Sequence, residues 1–134
     1  MAPSTPPLYG WCMQHVSPQH FARAHHLGLA AEECAARRYQ SDGGRLRAAR
    51  WRCPEGELDL VVELPGEIVF VEVKARRHGA ETVTARQWAR IGAAAARYLA
   101  EHTDGTLPCR FDLALVDRTG RLERIENARS FDDW

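Results

Sequence analysis

From Gly56 to Arg76 apolar and polar residues alternate in two runs that meet at Pro65-Gly66. Alternation of period two marks half-buried strands, and the Pro-Gly pair between the runs predicts a β-hairpin. With Leu64 opposite Glu67, Asp59 falls opposite Glu72 and Glu57 opposite Lys74. Side chains on a strand point alternately to its two faces, so these four are expected on one side. Leu58, Leu60, Val62, Val69, Val71 and Val73 are expected on the other. The hairpin then has one apolar face and one face carrying three carboxylates and an ammonium. Pro-Gly favours a type II turn over the primed turns of tight hairpins, which leaves a longer loop open. A symmetric extension keeps this pairing, whereas a slip of one residue destroys it.

The pattern extends outward from the hairpin. Phe21, Ala24, Gly28, Ala31, Ala35 and Tyr39 recur every three or four positions, predicting a helix from Pro18 or His20 to about Tyr39. Its stripe is made mostly of small residues, which allow close packing. Glu32 borders that stripe, and Glu33, about 100° further round, faces water. Ser41-Asp42-Gly43-Gly44 ends the helix. Arg45–Cys53 reads as a strand with Leu46, Ala48 and Trp51 inward, and Pro54-Glu55-Gly56 turns it into the hairpin. Thr82 or Thr84 caps a second helix running to about His102, with Trp88, Ile91, Ala95, Tyr98 and Leu99 inward. Arg110–Val116 is a strand with Phe111, Leu113 and Leu115 on one face, and Arg121–Ile125 adds an edge strand. The expected fold is α/β, a mixed sheet flanked by helices. The Pro-rich residues 1–17 form a flexible tail and residues 18–134 a single domain.

Composition narrows the function classes. The chain has 134 residues, 45% hydrophobic and 27% charged, with zero formal net charge. Neutrality argues against an indiscriminate polyanion binder, and no apolar run is long enough to span a membrane. The start of the chain lacks the basic and apolar regions of a secretory signal. The four cysteines include no C-x-x-C pair, so a reducing cytoplasm is expected. Charge is unevenly distributed. Arg37, Arg38, Arg45, Arg47, Arg50 and Arg52 against Asp42 give a local +5; Lys74, Arg76, Arg77, Arg86 and Arg90 against Glu81 give +4. Either run alone reads as a solvated surface. Together they flank the polar hairpin face, which favours nucleic acid.

Asp59, Glu72 and Lys74 form the pattern D-x12-E-x-K. Two carboxylates on adjacent strands suit a hard divalent cation, Mg²⁺ or Mn²⁺, which prefers oxygen ligands and retains water. Carboxylates directly opposite one another repel, and a cation or a shared proton relieves this. Lys74 projects to the same side and is placed to hold an attacking water, while Glu32 is within reach as a further acid. These are the parts of a phosphodiester hydrolase. The plainer reading is the wet face of a two-stranded segment. The six histidines lack zinc-site spacing, and Trp88 belongs to an apolar stripe rather than a base-stacking surface.

The elements Gly28-x-x-Ala31-Glu32-x-x-Ala35, Gly56-Glu57-Leu58-Asp59-Leu60, Phe70 to Arg76 and Arg110-Phe111-Asp112 resemble, in order, the YraN-type family of bacterial proteins. That family is similar to the PD-(D/E)XK nuclease superfamily, which includes Holliday-junction resolvases. The resemblance covers about residues 24–128. It implies a restriction-endonuclease-like αβββαβ core, with Glu32, Asp59, Glu72 and Lys74 in the active-site positions and Asp59 and Glu72 as ligands of Mg²⁺ or Mn²⁺. DNA, branched or single-stranded, is the implied substrate, with Arg76, Arg77, Arg86 and Arg90 on phosphates and a second copy of the chain as a candidate partner. A non-catalytic nucleic-acid-binding module and a protein-interaction domain are the alternatives. The chain departs from the pattern at Arg50, where the family often has Asn, at Gln87, where it often has Lys, and at Arg129, where the family's Ala-Phe ending is missing.

Overall fold

The structure, a computed structural model, describes residues 23–75 and 83–129, and the side chains of the first helix from residue 30 onward. Helix α1 (Arg23–Ser41) leads into three strands, β1 (Arg45–Cys53), β2 (Gly56–Leu64) and β3 (Glu67–Ala75). Helix α2 (Ala85–His102) follows, then β4 (Cys109–Val116) and β5 (Leu122–Arg129). The strands form one mixed sheet in sequence order; β3 and β4 run parallel and every other neighbouring pair is antiparallel. The proposed tail, residues 1–17, and Arg76 and Arg77 lie outside the described residues.

Local chemistry sets the boundaries. Gly44 N–H donates to the Tyr39 carbonyl at 2.8 Å to close α1. A Cβ on Gly44 would lie 2.7 Å from that carbonyl oxygen and 2.8 Å from Val62 Cγ1, so the sharp exit into β1 admits only glycine. Thr84 caps α2: its hydroxyl accepts from Gln87 N at 3.1 Å, while Gln87 Oε1 accepts from Thr84 N at 2.9 Å. Gln87 thus closes a capping box.

The β2–β3 register is the expected one, with Leu64 opposite Glu67 and Leu60 opposite Val71. The faces differ from expectation. Each side of the sheet carries its own core. Ala35, Ala36, Tyr39, Leu46, Ala49, Leu60, Val62, Val69 and Val71 pack on the α1 side. Leu58, Val61, Ile68, Phe70 and Phe111 pack with Trp88, Ile91, Ala95 and Tyr98 on the α2 side. Leu58 therefore does not share a face with Leu60 and Val62. The cause is a break in β1. Arg50, opposite Asp59 between the pairs Ala49–Leu60 and Trp51–Leu58, has φ of 50°. On either side of it Ala49 joins the α1 core and Trp51 the α2 core, although residues two positions apart on a regular strand share a face. Asparagine tolerates this left-handed conformation better than arginine, so Arg50 is an uncommon residue for the position. Leu46 and Ala48 likewise part company across a register shift, Ala48 joining the α2 side.

Strand β4 was expected to be apolar on one face, yet every residue from Phe111 to Val116 is buried. It is an inner strand with helices on both sides, the situation of parallel strands in general. Asp112, fully buried, is held at both oxygens. Oδ2 accepts from Tyr39 Oη at 2.6 Å and Arg110 Nη2 at 3.1 Å; Oδ1 accepts from Arg110 Nε and Asn127 N, each at 3.0 Å. Asn127, at φ of 53°, sits where the β4–β5 register shifts. Asp112 thereby fastens α1, β4 and β5 together.

Candidate functional site

Backbone pairing between β2 and β3 ends at Leu60–Val71. Beyond it Asp59 Oδ2 accepts a hydrogen bond from Val73 N at 2.9 Å, so a carboxylate stands in for the next rung of the ladder. Asp59 and Glu72 meet there closely enough to share a proton. Lys74 Nζ lies 3.8 Å from Glu72 Oε2. Burial raises the Asp59 pKa above the carboxylate range. Burial, and then the neighbouring Asp59, raise that of Glu72, with Lys74 pulling the other way. Two half-buried acids that resist ionising together, with an ammonium beside them, fit a hard divalent cation chemically. Such an ion would take two oxygen ligands from the chain and the rest from water.

Glu32 comes to the same place from α1. Its Oε1 accepts from Arg50 Nε at 2.8 Å, and the two side chains are only 8% and 13% exposed. Burial and Asp59 push Glu32 up to about 8, against the pull of Arg50. Glu32, Asp59, Glu72 and Lys74 are therefore brought together as expected, with Arg50 added. Among the described residues no three His, Cys, Asp or Glu side chains form a ligand set by themselves. Glu57 behaves differently from expectation. Its Oε2 accepts from Arg52 Nε at 2.8 Å, so it pairs within the β1–β2 hairpin rather than with Lys74.

The basic runs fare unequally. Arg45 and Arg47 both bind Glu63 at 2.9 Å, Arg50 binds Glu32, and Arg52 binds Glu57. Arg37 and Arg38 pair with Glu33 and Asp42 along α1. The first run is thus largely neutralised within the protein. Arg86 and Arg90, by contrast, are exposed on α2 and make no ion pair among the described residues. Gly56 lets α2 come close: a Cβ there would lie 3.4 Å from the Arg90 carbonyl oxygen. The Arg90 backbone therefore lies against the start of β2, three residues before Asp59 in the sequence.

A family model described as uncharacterised protein family UPF0102 matches residues 31–116, a span containing Glu32, Asp59, Glu72 and Lys74. The chain belongs to the UPF0102 family. It is 52% identical over 110 residues to the UPF0102 protein of Ruegeria pomeroyi, covering 79% of this chain and 89% of that one. The UPF0102 protein of Frankia casuarinae is 47% identical over 111 residues, 76% of this chain and 94% of its own. That of Roseobacter denitrificans is 41% identical over 123 residues, 84% and 95% respectively. The YraN-type resemblance is thereby shown. In this UPF0102 chain no described helix is long and apolar enough to cross a membrane.

Two residues of this UPF0102 protein escaped the sequence reading. Arg50 was counted in a basic run, although pairing β1 with β2 across the Pro54-Glu55-Gly56 turn puts it opposite Asp59. Asp112 stood inside a motif with no role; its place between two apolar residues on an inner strand is the signal of a buried, fully bonded acid.

Proposed function

We propose that this UPF0102 chain is a cytoplasmic, divalent-metal-dependent endonuclease with a restriction-endonuclease-like αβββαβ core, hydrolysing phosphodiester bonds in DNA, branched or single-stranded DNA included. One observation carries the reading: Asp59, Glu72 and Lys74 converge where the β2–β3 ladder opens, with two half-buried acids facing each other beside an ammonium. A purely structural hairpin gains nothing from placing those acids together, since like charges across a strand pair cost free energy.

In this reading Asp59 and Glu72 hold Mg²⁺ or Mn²⁺, which when bound supplies charge stabilisation at a phosphoryl oxygen. Val73 N–H fixes the orientation of the Asp59 carboxylate through Oδ2, and Asp59 with Glu72 would hold the cation. Lys74 donates to a water and aligns it with the phosphorus, and Glu32 completes the site from the α1 side, paired with Arg50. Arg86 and Arg90 contact phosphates, with Arg76 and Arg77 assigned the same role from sequence.

The test is single-turnover cleavage of duplex, single-stranded and four-way-junction DNA with Mg²⁺ or Mn²⁺. Lys74→Ala should lower the cleavage rate about 100-fold or more while changing DNA affinity less than about threefold, because its role lies in the transition state. Salt-sensitive binding without cleavage of any substrate would leave a non-catalytic binding module. Neither binding nor cleavage would leave a protein-interaction domain.

A further inference from the structure

Arg50 stands out on three grounds. It is nearly buried, it occupies a left-handed backbone conformation unusual for arginine, and it lies opposite Asp59 with its Nε committed to Glu32. A surface arginine neutralising a helix would need none of these. Its terminal nitrogens form no hydrogen bond with any described residue, and neither is a buried polar atom lacking a partner, so both reach solvent. The guanidinium is therefore anchored at one edge and free at the other, within an acidic site.

The charges are nearly balanced. Glu32, Asp59 and Glu72 carry three negative charges when ionised; Arg50 and Lys74 carry two positive ones. The remaining single negative charge matches one divalent cation once the single negative charge of a phosphodiester arrives. Without Arg50 the deficit would be two, and Glu32 would be released as an oxygen ligand. We infer that Arg50 is the resident cation of the site: it withdraws Glu32 from the ion's ligands and stands where a second divalent ion would otherwise bind, so that the centre takes one ion per chain. This rests on the divalent-ion reading of Asp59 and Glu72 above. Arginine suits the role because it stays charged at any working pH and offers a planar fork to a phosphate while Glu32 grips its inner edge.

Isothermal titration calorimetry with Mn²⁺ alone tests this on the full chain without DNA. Wild type should bind one equivalent. Arg50→Gln should bind Mn²⁺ about tenfold more tightly or take up a second equivalent, since a neighbouring positive charge has gone and a carboxylate has been freed. Arg50→Lys, which keeps the charge, should retain one equivalent and near wild-type affinity. Asp59→Asn should lose the binding. If Asp59→Asn loses the ion while Arg50→Gln, folded by near-UV circular dichroism, binds as wild type does, the role of Arg50 is overturned and the metal reading survives. If Asp59→Asn binds as wild type does, both fall. Two equivalents in wild type would also overturn the inference.

Discussion

Asp112→Asn separates the two kinds of buried acid in this protein, the one that holds the fold together and those that equip the site. Asp112 accepts four hydrogen bonds, two at each oxygen. An asparagine must place its NH₂ in one of the two oxygen positions. At Oδ2 that group would face the Tyr39 hydroxyl and Arg110 Nη2; at Oδ1 it would face Arg110 Nε and Asn127 N. At Oδ1 the NH₂ opposes two N–H donors, and at Oδ2 it opposes Arg110 Nη2 while the Tyr39 hydroxyl must turn to accept, so either orientation loses hydrogen bonds in a site of zero exposure. It also removes the charge that balances Arg110, which retains Glu67 at 2.7 Å. Breaking a buried ion pair costs about 3–5 kcal/mol. At roughly 3–5 °C per kcal/mol for a domain of this size, the melting temperature should fall by about 10–20 °C. Tyr39→Phe removes one bond and should cost only about 1–2 kcal/mol. Urea denaturation of both variants and the double variant gives the coupling between them. A melting temperature for Asp112→Asn within about 3 °C of wild type would refute the clamp assigned to this residue.

The metal-free protein should lose stability as pH rises from 6 to 8. Glu32, raised to about 8, and the Asp59–Glu72 pair hold protons in the folded state that the unfolded chain gives up near the ordinary carboxylate value, so the stabilisation is complete below that value and is lost on the way to the folded one. Each such proton contributes a slope of about 1.4 kcal/mol per pH unit. Urea melts in EDTA measure this; Glu72→Gln should make the slope shallower, and a flat or rising profile for wild type would contradict it. Arg86→Ala with Arg90→Ala should weaken DNA binding regardless of sequence and flatten the log–log salt dependence by about one unit per lost phosphate contact. An unchanged slope by fluorescence anisotropy would remove α2 from the interface.

Much of the fold could be read from the sequence because its signals are local. The Pro65-Gly66 turn and two alternating runs set the β2–β3 register, the bounds of β1 were legible from Gly44 and Pro54, and of the two threonines offered for the start of α2, Thr84 is the cap. The gathering of Glu32, Asp59, Glu72 and Lys74 followed from register and helix periodicity. What stayed hidden depends on neighbours distant in sequence. Leu58 changes faces because the backbone at Arg50 does, and no pattern within β2 signals that. The arginines of the first basic run look like a polyanion footprint until their partners on β2 and α1 are known. Glu57 turned to Arg52 rather than Lys74 because the β1–β2 hairpin brings a closer cation.

The parallel alignment of β3 with β4 also sets an order of events. A parallel neighbour cannot be reached by a tight turn, so the chain must leave the sheet, build α2 and return before β4 can dock. Every acid of the candidate site lies before that excursion. On the ribosome Glu32, Asp59, Glu72 and Lys74 emerge on a helix and a three-stranded meander, while Phe70 still lacks both Phe111 and Tyr98 to lie against. The hairpin alone has little reason to hold its repelling carboxyls together; the late-arriving strand and helix make that arrangement permanent. Docking of β4 therefore closes a long loop, and the full sheet around the site is complete only when the second half of the chain has arrived.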